Sequence, residues 1–173
     1  MPESSVLRRA CFFDRDGVLN EDTGYVFRAA DFQWRPTARA TIKLLNENGI
    51  LVFVVTNQSG VARGFYTEAD VKTLHAHMQA ELASEGARID AFRYCPHHPE
   101  GSVAAYAIGC ACRKPASGMI LDLLAAHGLE PENCRMFGDR ESDLEAGVGA
   151  GVASELVTEA RPLIDLVSAA FGL

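Results

Sequence analysis

The chain has 173 residues, 48% of them hydrophobic and 23% charged, which suits one globular domain with a full apolar core. Its formal net charge of -7 excludes a broad surface for nucleic acid or for an anionic membrane, though not a local anion site. No apolar run is long enough to span a bilayer, and the opening MPESSVLRR lacks the apolar segment of a secretory signal, so a cytoplasmic protein is expected. In that reducing compartment the five cysteines are expected as thiols or metal ligands rather than disulfides. No repeat, low-complexity tract or linker divides the chain, so residues 1–173 are expected to form one domain.

ACFF, residues 10–13, reads as a buried strand that ends abruptly in Asp14 and Asp16. Residues 37–48 have helical spacing, with Ile42, Leu44 and Leu45 apolar and Gly49 as the stop. The run ILVFVVT, residues 50–56, is continuous and β-branched, as in a parallel sheet covered on both faces. Thr67 caps a helix with acids in its first turn, and Val71, Leu74, Met78 and Leu82 form its apolar stripe. A short strand is predicted over 92–94, a helix over 117–127 ending at Gly128, and a strand over 134–137. A helix over 143–150, a strand near 153–157 and a last helix from Pro162 complete the series. Strands alternating with helices predict a doubly wound α/β sheet with right-handed crossovers.

Three of these strands run out into polar groups, in FFDRD, VVTNQS and MFGDRESD. Open α/β sheets bind ligands at the carboxyl ends of their strands, so Asp14, Asp16, Thr56, Asn57, Gln58 and Asp139 are expected along one edge. Asp14 and Asp139 suit a hard divalent cation such as Mg2+, which takes carboxylates, waters and substrate phosphate. One carboxylate can then attack phosphorus while a second protonates the leaving oxygen and later deprotonates water. Two aspartates spaced i and i+2 fit that division, with Gly17 letting the backbone turn away. Thr56 offers a hydroxyl, and Lys114 a positive charge, to the phosphoryl oxygens. Taken singly, D-x-D-G is a turn signal, Thr56 a cap and Lys114 a solvated side chain. Their joint occurrence after three strands favours catalysis.

DRDGVLN, VTNQSG, CRKP and GDRESD together resemble the four motifs of the haloacid dehalogenase-like phosphatases, over roughly residues 10–160. The resemblance implies that Asp14 is the nucleophile and Asp16 the general acid and base. It implies that Thr56 and Lys114 hold the phosphoryl group, and that Asp14, the Asp16 carbonyl and Asp139 bind Mg2+, with Asp143 a nearby acid. Arg140 departs from the pattern, since many members carry a second acid there.

CPHH at 95–98 and CAC at 110–112 give Cys95, His97, Cys110 and Cys112 as a tetrahedral Zn2+ set, with His98 as the alternative to His97. A closed set of this kind is structural, and would staple a loop whose end carries Arg113 and Lys114. Cys11 and Cys134 are expected as strand packing, and His75 and His77 as surface residues, two apart on a helix. His127 suits a helix C-terminus.

The intervals between the motifs leave no room for a lid domain, so an open, capless mouth is expected, walled by residues 24–27, 59–64 and the zinc loop. Within the family, GYV, TNQSGVARG and CPHHPEGS resemble most the D-glycero-D-manno-heptose 1,7-bisphosphate phosphatases, with histidinol-phosphate phosphatases as the alternative. That implies a small phosphate ester as substrate and makes Arg113 a candidate for its second phosphate. A polynucleotide 3'-phosphatase is disfavoured by the acidic charge. No unassigned apolar face remains, so a monomer without nucleic-acid or membrane partners is expected.

Overall fold

Strands β1 (Ala10–Phe13), β2 (Leu51–Asn57), β3 (Ala91–Cys95), β4 (Cys134–Gly138) and β5 (Ala153–Leu156) form one sheet in the order β3-β2-β1-β4-β5, every pairing parallel. The computed structural model describes residues 7–173, so the N-terminal stretch read for a secretory signal begins outside the described residues. The helices are α1 (Ala38–Glu47), α2 (Glu68–Ser84), α3 (Gly118–His127), α4 (Glu141–Gly149) and α5 (Leu163–Phe171). Each expected element is present, with ends shifted by a residue or two.

Side chains alternate across a strand, and here both faces are covered. Cys11, Phe13, Val52 and Val54 pack against Ile42 and Leu45 of α1, Leu74 and Met78 of α2, and Leu166 of α5. Ala10, Phe12, Phe53, Val55 and Met136 pack against Ile120 and Leu123 of α3 and Ala146 of α4. This two-sided burial is why the strands read as unbroken apolar runs. Cys11 and Cys134 are both buried in these layers, as expected.

Thr67 closes the start of α2 as a capping box: its Oγ1 accepts from the Asp70 amide at 3.2 Å, and its own amide donates to Asp70 Oδ2 at 2.8 Å. The two histidines of this helix part company. His77 is half-buried and lies 3.5 Å from Glu81. His75, expected at the surface, is instead 5% exposed and sits inside the fold. It is i+4 from Val71 and i-3 from Met78, which puts it on the buried stripe.

The chain runs outward from β1 through β2 to β3, then returns to place β4 on the other side of β1. The carboxyl ends of β1 and β4 flank that switch, where open α/β sheets leave a crevice. The segments above it, 14–28, 58–66 and 96–117, run as turns and loops, so loops and not a separate domain rim the crevice. Among the described residues no helix is long and apolar enough to cross a membrane.

Candidate active site

Asp14 stands one residue beyond β1, where its amide still donates to Phe137 O at 3.0 Å and continues the ladder to β4. Lys114 meets it from the opposite loop. The Lys114 ammonium lies 2.8 Å from Asp14 Oδ1, 2.6 Å from Asp143 Oδ1 and 2.8 Å from Val55 O, which uses all three of its donors. Asn57 holds the lysine's backbone in turn: its Nδ2 donates to Lys114 O and its Oδ1 accepts from Lys114 N, both at 3.0 Å. Asp143, in the first turn of α4, also accepts the Arg140 amide at 3.1 Å. The Arg140 side chain points out to an ion pair with Asp22 at 3.1 Å.

Carboxylate oxygens of Asp14, Asp139 and Asp143 all lie within 4.8 Å of one another. Burial pushes Asp14 up to about 7 in spite of the adjacent Lys114, and Asp143 and Asp16 add to the rise. Burial likewise raises Asp139, followed by the charge of Asp143. Burial opposes the charge on Lys114, but Asp14 and Asp143 outweigh it and raise its pKa. The cluster therefore carries more negative charge than one lysine offsets. Asp139 Oδ1 is also buried without a hydrogen-bond partner. Surplus carboxylate charge together with an orphaned buried oxygen fits a divalent cation. Gly17 lets the loop pass this close: its φ is +84°, and a Cβ there would lie 2.2 Å from Asp139 Oδ2.

Asp16 is held by a fork of donors. Arg15 Nη2 reaches its oxygens at 3.1 and 3.2 Å, Asn20 Nδ2 reaches Oδ1 at 3.0 Å, and Gln58 Nε2 reaches Oδ2 at 3.0 Å. Gln58 Nε2 also donates to Thr56 Oγ1 at 2.9 Å, and its Oε1 accepts from the Tyr66 hydroxyl at 2.6 Å. Asp14, Asp16 and Lys114 open into a cavity of about 560 Å3, within the usual size of small-ligand sites. Tyr25, Ser59 and Arg113 line its walls, so both the 24–27 and the 59–64 loops reach it. Asn57 and Gln58 line it as well, whereas Thr56 and Asp139 do not.

Beside the cavity, Cys95, His97, Cys110 and Cys112 bring their ligand atoms within 4.8 Å of one another. Pairs among the three sulfurs and His97 Nδ1 are 3.0–3.6 Å apart. A zinc tetrahedron with bonds of about 2.0–2.3 Å has edges only slightly longer. All five cysteines are free thiols. His98 turns away: its Nε2 faces Arg63 at 3.4 Å, and its Nδ1 accepts the Glu100 amide at 3.1 Å. The structure thus favours His97 over His98 as the fourth ligand atom.

The family model described as HAD-hydrolase-like matches residues 111–161. The D-glycero-beta-D-manno-heptose-1,7-bisphosphate 7-phosphatase of Rhodopseudomonas palustris is 47% identical over 152 residues, which cover 88% of this chain and 84% of that protein. The chain belongs to the haloacid dehalogenase-like phosphatase family. The Escherichia coli K12 protein of the same name is 39% identical over 155 residues, 89% of this chain and 81% of that one. Among solved structures, the D,D-heptose 1,7-bisphosphate phosphatase from B. bronchiseptica, complexed with magnesium and phosphate, aligns with a TM-score of 0.78 at 33% identity. That alignment covers 95% of this chain and 88% of the other.

As a haloacid dehalogenase-like phosphatase, the chain is a phosphoric monoester hydrolase. Several residues of the site carry no catalytic signature of their own in the sequence. Asn20 and Tyr66 reach Asp16 directly or through Gln58, and both sit in turns that only the fold brings together. Arg15 is fully buried, although its place between two aspartates beyond the end of β1 gives no local sign of it. Asp143, expected merely near the metal, shares the lysine with Asp14.

Proposed function

We propose that this phosphatase removes the 7-phosphate of D-glycero-D-manno-heptose 1,7-bisphosphate through an aspartyl phosphate, in one catalytic domain over residues 1–173. The observation that carries this reading is the pairing, in one cavity, of the Asp14–Lys114 centre with Arg113 on the wall. A bisphosphate needs one phosphoryl group at the nucleophile and a cation for the other, and among the described residues Arg113 Nη1 is engaged only by a long 3.5 Å contact to His97 O. The names of the relatives support the same substrate.

In this reading a carboxylate oxygen of Asp14 attacks phosphorus while the bond to the ester oxygen breaks. Protonated Asp16 gives its proton to the departing oxygen, so the alcohol leaves neutral and Asp14 carries the phosphoryl group. The Asp16 carboxylate then takes a proton from water as the water oxygen attacks phosphorus. Inorganic phosphate leaves and Asp14 is restored. Lys114 balances charge at the phosphoryl oxygens, with Asn57 and Gln58 on the same wall. Thr56 contributes through Gln58, whose amide its hydroxyl receives. Asp14, the Asp16 carbonyl and Asp139 would hold Mg2+, with Asp143 beside them. When bound, the ion neutralises the carboxylate crowding and the phosphate charge. Cys95, His97, Cys110 and Cys112 would hold a structural Zn2+.

We read the protein as a cytoplasmic monomer acting on a free phosphate ester, with neither nucleic acid nor membrane as partner, in keeping with its net charge of -7. The deciding experiment is the ratio of kcat/KM for heptose 1,7-bisphosphate over histidinol phosphate, in Mg2+, for the native enzyme and for Arg113→Ala. The expected ratio is far above one and falls in the variant, because only the bisphosphate loses a contact. A native ratio below one transfers the substrate to histidinol phosphate and leaves the chemistry standing.

A further inference from the structure

His75 is a buried imidazole that the reaction does not touch, yet it lies one residue from the acid–base group. Its Nε2 is 3.2 Å from Arg15 Nη1. Its ring is stacked on Phe92 of β3 at 4.4 Å, inclined by 15°, with Tyr94 edge-on at 6.1 Å. Arg15 is 0% exposed and its guanidinium has donors only. The contact is therefore a hydrogen bond from Arg15 into a bare imidazole nitrogen, which fixes His75 as the Nδ1–H tautomer. Burial, and then the charge of Arg15, hold His75 down at about 3, so it stays neutral in this place.

The other donors of the same guanidinium are directed just as narrowly. Nη2 donates to Val26 O at 2.7 Å and to both Asp16 oxygens, and Nε faces Asp16 Oδ1 at 3.4 Å. A planar fork cannot turn toward one partner without turning from another. His75 and Val26 O together therefore set the plane in which Arg15 presents its remaining N–H groups to Asp16.

We propose that His75 is a positioning residue for proton transfer at the leaving oxygen: by accepting from Arg15, it fixes the guanidinium that orients the Asp16 carboxyl. The proposal rests on the reading of Asp16 as the acid and base. Only a neutral acceptor serves here, since a cation would repel Arg15 and an apolar group would leave a buried N–H without a partner.

The test is the dependence of kcat/KM on the leaving group. An alkyl phosphate, whose alcohol is a poor leaving group, needs the proton; p-nitrophenyl phosphate needs it far less. In His75→Met the alkyl phosphate is expected to lose about tenfold or more and the aryl phosphate about twofold or less. His75→Gln, which restores an acceptor at the same reach, is expected to recover most of the difference. Equal losses on both substrates, or no recovery with glutamine, overturn the proposal and leave His75 as packing. Asp16→Asn separates the two layers. If it loses the alkyl phosphate selectively while His75→Met does not, only the role of His75 fails. If Asp16→Asn shows no selectivity, the acid–base reading itself fails. Should His75→Met not fold, 15N NMR of the native enzyme at neutral pH decides: a bare Nε2 is expected, and an Nε2–H tautomer overturns the proposal.

Discussion

Replacing His75 by glutamine is expected to make the fold less sensitive to acid. In the folded protein His75 stays neutral down to a pKa of about 3, against 6.5 for the free side chain. Below pH 6.5 the unfolded chain therefore takes up a proton that the folded chain refuses. Stability from this residue is fully present above 6.5 and is lost progressively as pH falls from 6.5 toward 3. The loss approaches about 1.4 kcal/mol per pH unit, so between pH 7 and pH 5 it amounts to about 2 kcal/mol. For a chain of this size that is about 4–8 °C in Tm. Glutamine keeps an acceptor for Arg15 and does not titrate. Arg15 and Tyr94 face this position in both proteins, so the difference between them isolates the imidazole. Thermal melts of both proteins at pH 7 and pH 5 give the answer as a difference of differences, in which the shared Cys/His cluster cancels. The native protein should lose about 2 kcal/mol more than His75→Gln on acidification. Parallel losses would show that His75 can be protonated in place, and the argument from burial beside Arg15 would be wrong.

Asp14→Asn should abolish turnover of p-nitrophenyl phosphate while leaving the melting temperature near the native value, because Lys114 keeps its 2.6 Å partner Asp143. Retained turnover would remove Asp14 as nucleophile. Gly138→Ala would place a Cβ 2.1 Å from that of Asp143, so the first turn of α4 must shift away from Lys114. The expected cost is about 1–3 kcal/mol in a denaturant titration and about tenfold or more in kcat; native values would mean the helix start yields freely. Elemental analysis should find about one zinc per chain bound at Cys95, His97, Cys110 and Cys112, lost on Cys110→Ser. A stable, metal-free native protein would rule that site out.

The sheet was legible because each central strand is buried on both faces, so that FVV within β2 or CFF within β1 has no polar interruption. The polar residues at the carboxyl ends of β1, β2 and β4 were legible for a related reason. Each follows immediately where an apolar run stops, and parallel strands must bring such positions to one edge. What escaped is what depends on partners far apart in the chain. Arg15 and His75 are 60 residues apart, and no local pattern connects them. Comparing His75 only with His77 pointed to the surface, whereas its spacing from Val71 and Met78 gives the buried face. The fork on Asp16 was hidden in the same way: Gln58 was expected at this edge, but its bond to Asp16, the bond from Asn20 and the Tyr66 hydroxyl on Gln58 itself form only once the turns are stacked.

The paired hydrogen bonds between the Asn57 amide and the backbone of Lys114 give the cysteine-rich loop two separate anchors. Asn57 grips the peptide much as a neighbouring strand would, and it extends β2 sideways to the lysine with no help from the thiols. The loop is thus divided mechanically. Its body, with Arg113 at the end, hangs on the cluster of Cys95, His97, Cys110 and Cys112, while Lys114 hangs on the sheet. Damage to the thiols, by oxidation for example, would then reach Arg113 before it reached Lys114. With zinc and Arg113 in their proposed roles, a partly demetallated enzyme would be a poorer judge of substrates while still able to cut them.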